Sequence, residues 1–156
     1  MCKKQALFRV VQNKQFSICP SYHEVLILPA TVDDAVIAES AKFRSSSRLP
    51  CLTYYDKVAT TSIWRCSQPH TGLFNSRSKA DEELFRLIGL CNSNPMNVQN
   101  TVLIHDSRPL LNAMSNKLKG GGYEDVGPGN NYPNCKIKFA DIDNIHAVTK
   151  CYDKLF

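Results

Sequence analysis

The stretch TVLIHDSRPLLNAMSNKLKGGGYE, residues 101–124, decides the fold. TVLIHD (101–106) is a short apolar run that reads as a strand. Pro109 sits where proline is tolerated in a first helical turn, and LLNAMSNKLK continues as a helix. After a Gly/Pro/Asn loop, KIKFADI (136–142) reads as another strand, and Asp143 is expected to cap a helix from Asn144 onward. Strand, helix, strand, helix is the pattern of a parallel α/β sheet. Such sheets bind ligands beyond the carboxyl ends of their strands. Two stretches fall there: DSRP (106–109) and DIDNIH (141–146).

The three glycines beside two lysines resemble a phosphate cradle, but their direction is wrong. A cradle places glycines before a helix, where free N–H groups and the positive dipole end face the anion. Gly120, Gly121 and Gly122 follow one, where a left-handed glycine closes the last turn. Lys117 and Lys119 sit where a cation favours the dipole by ~0.3–1 kcal/mol each. The glycines are a stop. Along that helix Leu110, Ala113, Met114 and Leu118 form an apolar stripe, and Asn112, Asn116 and Lys119 a polar one. The polar stripe is either a solvated face or the rim of a ligand site. After the last strand, the N–H groups of Asn144, Ile145 and His146 are first-turn donors with the Asn144 side chain beside them; Asp143 opposes an anion there.

The first half reads as strands around one helix. VLILP (25–29) is a buried strand, and Thr31 with Asp34 predicts a helix start. That helix runs to about Phe43 and gives way at SSSRLP. CLTYY (51–55) and TSIWRC (61–66) read as an antiparallel hairpin around Asp56 to Ala59. Ser78 with Asp81 caps a helix, KADEELFRLIGLC, whose Leu84, Leu87, Ile88 and Cys91 share its buried face. CNSNPMNVQN then breaks the chain.

The 156 residues suffice for one domain with a real core. A net charge of +5, with small basic groups at Lys3 and Lys4, at Lys42, Arg44 and Arg48, and at Lys117 and Lys119, suits an anionic partner without selecting one. No apolar run is long enough to span a membrane, and the start does not read as a secretory leader. Seven scattered cysteines and no Asn-x-Ser/Thr acceptor point to a reducing, cytoplasmic setting.

No catalytic engine emerges from the residues. A phosphate-transferring thiolate needs backbone donors and an arginine, usually as Cys-x5-Arg. Six residues beyond the first six cysteines stand Phe8, Val25, Lys57, Gly72, Asn97 and Asp141, so the loop is not in these residues. Cys19 with His23 and Cys66 with His70 lack the close cysteine pairing of a zinc site, and neither metal nor cofactor is expected. His146 reads as a surface or core residue rather than an acid–base catalyst. Aromatics are not interleaved with basic residues, so no nucleic acid is expected either.

FSICPSYHEVLILPATVDD, AKFRSSSRLPCLTYY, IWRCSQPHTG, SKADEE, DSRPLLNAMSNKLKGGGYE and YPNCKIKFADIDNIHAV, in that order, resemble the opening part of the myotubularin phosphatase domain. The resemblance implies an α/β fold, an incomplete protein-tyrosine-phosphatase-like domain with a mixed sheet and flanking helices, over residues 1–156. It also implies removal of the 3-phosphate from phosphatidylinositol 3-phosphate and 3,5-bisphosphate on endosomal membranes. The family's substrate-contacting positions fall on Asn116, Asn144 and Ile145. The nucleophile loop, preceding lipid-binding domain and coiled coil of the family are not in the chain, which is expected to be inactive alone, a fragment or truncated gene model. Phosphoinositide headgroups are the implied ligands. Other myotubularin-related proteins are the implied partners, should the chain act as a non-catalytic adaptor. RCSQP is expected to matter structurally, with Arg65→Ala destabilising.

Overall fold

The computed structural model describes residues 6–91 and 100–155. Lys3, Lys4 and most of the expected break in CNSNPMNVQN lie outside the described residues. The elements run β1 (Phe8–Gln12), β2 (Val25–Pro29), α1 (Asp34–Phe43), β3 (Cys51–Asp56), β4 (Thr61–Arg65), α2 (Lys79–Leu90), β5 (Val102–Asp106), α3 (Leu110–Lys117), β6 (Cys135–Phe139) and α4 (Ile145–Asp153).

The sequence reading did not anticipate β1. It pairs antiparallel with β2, from Phe8 opposite Pro29 to Gln12 opposite Val25. Along β2 the period of two is plain: Leu26 and Leu28 are buried and Val25 and Ile27 exposed. The long connection is held by buried Asn13. Its Nδ2 donates to the carbonyls of Cys19 (2.9 Å) and His23 (3.1 Å), and its Oδ1 accepts from the N–H groups of Ile18 (2.9 Å) and Cys19 (3.1 Å). Every polar atom of that side chain is thereby satisfied inside the protein.

The expected hairpin forms between β3 and β4, with a bulge between Leu52 and Tyr54. Asp56 builds its turn by accepting from the N–H groups of Val58 (2.8 Å) and Ala59 (3.0 Å). The expected parallel pair forms between β5 and β6, from Val102 opposite Cys135 to Asp106 opposite Phe139. The expected mixed sheet is not continuous: among the described residues the strands make three two-stranded pieces, two antiparallel and one parallel. A cleft of about 590 Å³, lined by Ile63, Trp64, Leu103 and Ile104 among others, separates β4 from β5. Strand β6 ends at Phe139, short of the expected Ile142, because Asp141 adopts a positive φ of 58°.

Helix starts obey local hydrogen bonding. The cap of α1 is Asp33, not Thr31: its side chain accepts from Ala35 N–H at 2.8 Å. Ser78 caps α2 as expected, accepting from Asp81 N–H at 3.3 Å. Leu84, Leu87 and Ile88 then face Leu26, Leu28, Ile37 and Leu49 in the main core. Each such burial contributes about 1.5–3 kcal/mol. The apolar stripe of α3 is not core. Only Ala113 is buried, while Leu110, Met114 and Leu118 are exposed.

One buried polar network joins the two halves. Arg44, at the end of α1, bonds both carboxylate oxygens of Asp81 on α2, the carboxylate of Glu124 and the carbonyl of Ser67. The Ser40 and Tyr132 hydroxyls also donate to Asp81, each at 2.7 Å. The Arg44 guanidinium stands 5.0 Å above the Phe85 ring. Burial opposes its charge, but Asp81 and Glu124 prevail and hold its pKa well above the ordinary value. The arginine that organises this region is therefore Arg44. Arg65 is exposed, and what it offers is its carbonyl, which accepts from the Tyr22 hydroxyl at 3.1 Å.

Candidate functional site

The site forms where the parallel strands end. Beyond β6 the chain turns back against the β5 exit, Ala140 N–H bonding Asp106 O at 2.7 Å and Ile142 N–H bonding Ser107 O at 2.9 Å. DSRP and DIDNIH thus lie side by side, as the strand order anticipates. Asp106 then folds its own loop. It accepts from Arg108 N–H at 3.0 Å and from the guanidinium, Nε to Oδ1 at 2.9 Å and Nη2 to Oδ2 at 2.6 Å. Held flat by this clamp, Arg108 also donates from Nη2 to the Gly122 carbonyl at 2.8 Å and from Nη1 to Gln68 Oε1.

The glycines are a helix stop. Gly120 takes a φ of +84°, its N–H bonding Lys117 O at 3.1 Å, while Gly121 N–H bonds Asn116 O at 3.0 Å. Those two bonds are the paired closure of a helix ended by a left-handed residue. The same loop is sewn to the segment after β4: Gly72 N–H donates to Gly121 O at 2.8 Å and Thr71 Oγ1 to the same carbonyl at 3.2 Å. Lys117 is drawn sideways, its Nζ 2.9 Å from Asn75 Oδ1 and 4.5 Å above the Tyr123 ring.

Asn116 is half-buried, with Nδ2 3.5 Å from Gln68 Oε1. Through Gln68 and Arg108 it is tied to the β5 exit. Asn144, not Asp143, caps α4: its Oδ1 accepts from the N–H groups of His146 (3.0 Å) and Ala147 (3.1 Å). This corrects the reading of the His146 N–H as a donor for an anion, because the cap consumes it. Ile145 is 74% exposed at the first turn. Sequence reasoning missed Gln68 and Arg108. Both lie in stretches that carry the resemblance, RCSQP and DSRP, but no spacing rule couples positions so far apart.

Chemically, the edge gathers amide and guanidinium donors. Cys135, at the start of β6, and Cys91, at the end of α2, lie away from this edge and are not activated: burial, with Glu124 adding, pushes Cys135 up to about 12, and burial pushes Cys91 up to about 11. Among the described residues, no group of three or more His, Cys, Asp or Glu is placed to hold a metal ion.

The model of the myotubularin-like phosphatase domain matches residues 1–156. The chain is 40% identical over 152 residues to the phosphatidylinositol-3,5-bisphosphate 3-phosphatase MTMR6 of Caenorhabditis elegans, a match covering 90% of this chain and 21% of that protein. It is 38% identical to the human protein of the same name, over 92% of this chain and 22% of that one. With the myotubularin of Xenopus tropicalis it shares 35% identity, over 92% and 23% respectively. This chain belongs to the myotubularin family. It spans about a fifth of the length of these curated relatives.

Proposed function

We propose that this chain is the substrate-side portion of a protein-tyrosine-phosphatase-like, myotubularin-type domain. In this reading Asn116, Asn144 and Ile145 hold the headgroup of phosphatidylinositol 3-phosphate or 3,5-bisphosphate while its 3-phosphate is removed. The carrying observation is the parallel edge itself: the β5 and β6 exits interlock, with Arg108 and Asn116 tied to one and Asn144 beginning the helix after the other. The names of the relatives agree with it. The nucleophile comes from outside these residues, since no Cys-x5-Arg occurs in them. The chain therefore binds and does not turn over. It works at the cytoplasmic face of endosomal membranes, where such lipids are presented.

The test is titration of the 156-residue chain with soluble dibutanoyl phosphatidylinositol 3-phosphate, followed by NMR, with phosphate release assayed in parallel. Binding is expected to weaken at least tenfold, ~1.4 kcal/mol, in Asn116→Ala. Phosphate release that survives replacement of every cysteine would contradict the reading.

A second reading, a non-catalytic adaptor pairing with active relatives, is favoured by one observation. Ile145, Val148, Tyr152 and Leu155 leave an apolar stripe exposed along and just beyond α4. Co-elution with an active relative, lost on Val148→Asp, together with no affinity for the lipid, would select it.

A further inference from the structure

Three donors from three segments converge on one oxygen. Gln68 Oε1 accepts from Arg108 Nη1, lies 3.5 Å from Asn116 Nδ2 and 3.4 Å from the Gly122 N–H. A neutral amide oxygen offers two lone pairs, so all three cannot be well served. The charged donor wins, as charge-assisted bonds are roughly twice as strong as neutral ones. Asn116, at the outer limit of hydrogen-bond distance, is the donor left over. Its amide is oriented without being consumed.

Gln68 is itself firmly held. Its carbonyl accepts from Ser45 N–H at 3.1 Å, and the next residue, Pro69, is buried and bridges to Arg44. Space is reserved for its side chain too, since a Cβ on Gly121 would stand 2.7 Å from Gln68 Oε1.

We propose that Gln68 is a positioning residue. Its oxygen anchors the Arg108 guanidinium and orients the Asn116 amide, whose spare donor is taken up by a phosphate or hydroxyl oxygen of the headgroup. This rests on the reading of Asn116 given above.

Two substitutions in the 156-residue chain test it. Gln68→Glu supplies a second oxygen and a charge, so every donor is served and Asn116 is consumed. Gln68→Met keeps the volume and removes the acceptor. The readouts are the Asn116 side-chain amide resonances, the dissociation constant for dibutanoyl phosphatidylinositol 3-phosphate, and the melting temperature. In Gln68→Glu the Asn116 resonances are expected to shift and binding to weaken at least tenfold, while the melting temperature is unchanged or raised. A purely structural role would make affinity follow melting temperature instead.

In an Asn116→Ala background, either substitution should weaken binding by less than in the wild type, because the group it positions is gone. Unmoved Asn116 resonances, binding within twofold of wild type in Gln68→Glu, or fully additive losses would each overturn the proposal. Should Gln68→Met not fold, the Glu variant decides alone. If Asn116→Ala binds as wild type does, or the wild type does not bind, the underlying reading falls and takes this proposal with it. If Asn116→Ala weakens binding and Gln68→Glu does not, only the positioning role falls.

Discussion

Arg44 grips both carboxylate oxygens of Asp81, Nε to Oδ1 at 2.9 Å and Nη2 to Oδ2 at 2.5 Å, with both side chains fully buried. The pair joins α1 to α2. With Ser67 and Glu124 it also fixes the segment after β4 against the loop after the glycines. The motifs that carry the family resemblance are therefore, for the most part, one buried scaffold. AKFRSSSRLP gives Arg44, RCSQP gives Ser67, SKADEE gives Asp81, GGGYE gives Glu124 and NYPNC gives Tyr132. The scaffold does no chemistry, but it decides where Gln68 and the glycine loop stand.

Removing the guanidinium should be severe. Arg44→Met keeps much of the volume and strands two buried carboxylates, at a cost of about 3–5 kcal/mol in chemical denaturation. Arg44→Lys should recover only part of this, since a point charge cannot match the two-pronged contact. A loss below about 1 kcal/mol for Arg44→Met would show that water reaches Asp81.

Two glycines of the helix stop should separate backbone strain from crowding. At Gly120, φ is +84° and a Cβ would meet nothing within 4 Å, so Gly120→Ala should cost about 1–2 kcal/mol from conformation alone. At Gly122, φ is +149° and a Cβ would sit 1.9 Å from Thr71 Oγ1. Gly122→Ala should therefore cost more than Gly120→Ala in the same denaturation experiment, and Thr71→Ser, which keeps that oxygen, should not relieve it.

Stability should fall in alkali. Cys135 and Cys91 are held above their ordinary value of 9.0, at about 12 and about 11, chiefly by burial. Tyr132 is raised as well, by burial and then by Asp81. The folded state keeps protons that the unfolded chain releases, so this contribution is complete below about pH 9 and is lost as pH rises through the folded values. The denaturation midpoint should be level from pH 7 to 8.5 and decline from about pH 9 to 11. Cys135→Ala should flatten part of that slope; an equally steep decline in Cys135→Ala would remove Cys135 from the explanation.

How much of this was legible in the sequence follows from the range of each interaction. The parallel pair, the hairpin, the α2 cap and the glycine stop rest on periodicity or on bonds a few residues apart, and all were readable. Strand β1 was not, because FRVVQ shows no clean alternation and its pairing depends on Asn13 closing a loop from within. The caps of α1 and α4 were misplaced by one or two residues, since Thr31 and Asp33, or Asp143 and Asn144, are equally plausible acceptors until the backbone chooses. The stripe on α3 looks like core by spacing, yet Leu118 is 71% exposed, because periodicity marks an apolar face and not what covers it. Within the site, Asn116 on the polar stripe and Asn144 at the helix start were candidates by spacing and were singled out by the resemblance, while the links through Gln68 and Arg108 are contacts between distant segments that only the fold reveals.

Asn144 caps α4 in the fold and contacts the headgroup in the proposed function, and one substitution can separate the two. Its Oδ1 is committed to the N–H groups of His146 and Ala147 as the cap of α4, leaving Nδ2 as the group that can donate outward. Aspartate is as good a cap and suits the positive helix end, so Asn144→Asp should leave stability within about 0.5 kcal/mol, whereas Asn144→Ala should lose about 1 kcal/mol. Lipid binding should order the variants differently. Aspartate keeps the cap but replaces the donor with a like charge facing a phosphate, so its affinity for dibutanoyl phosphatidylinositol 3-phosphate should drop at least tenfold and below that of the alanine variant. If Asn144 were a cap alone, aspartate would bind as the wild type does and alanine would be the weaker of the two. The rank order of the two affinities, set beside their melting temperatures, therefore tells a headgroup contact from a helix cap.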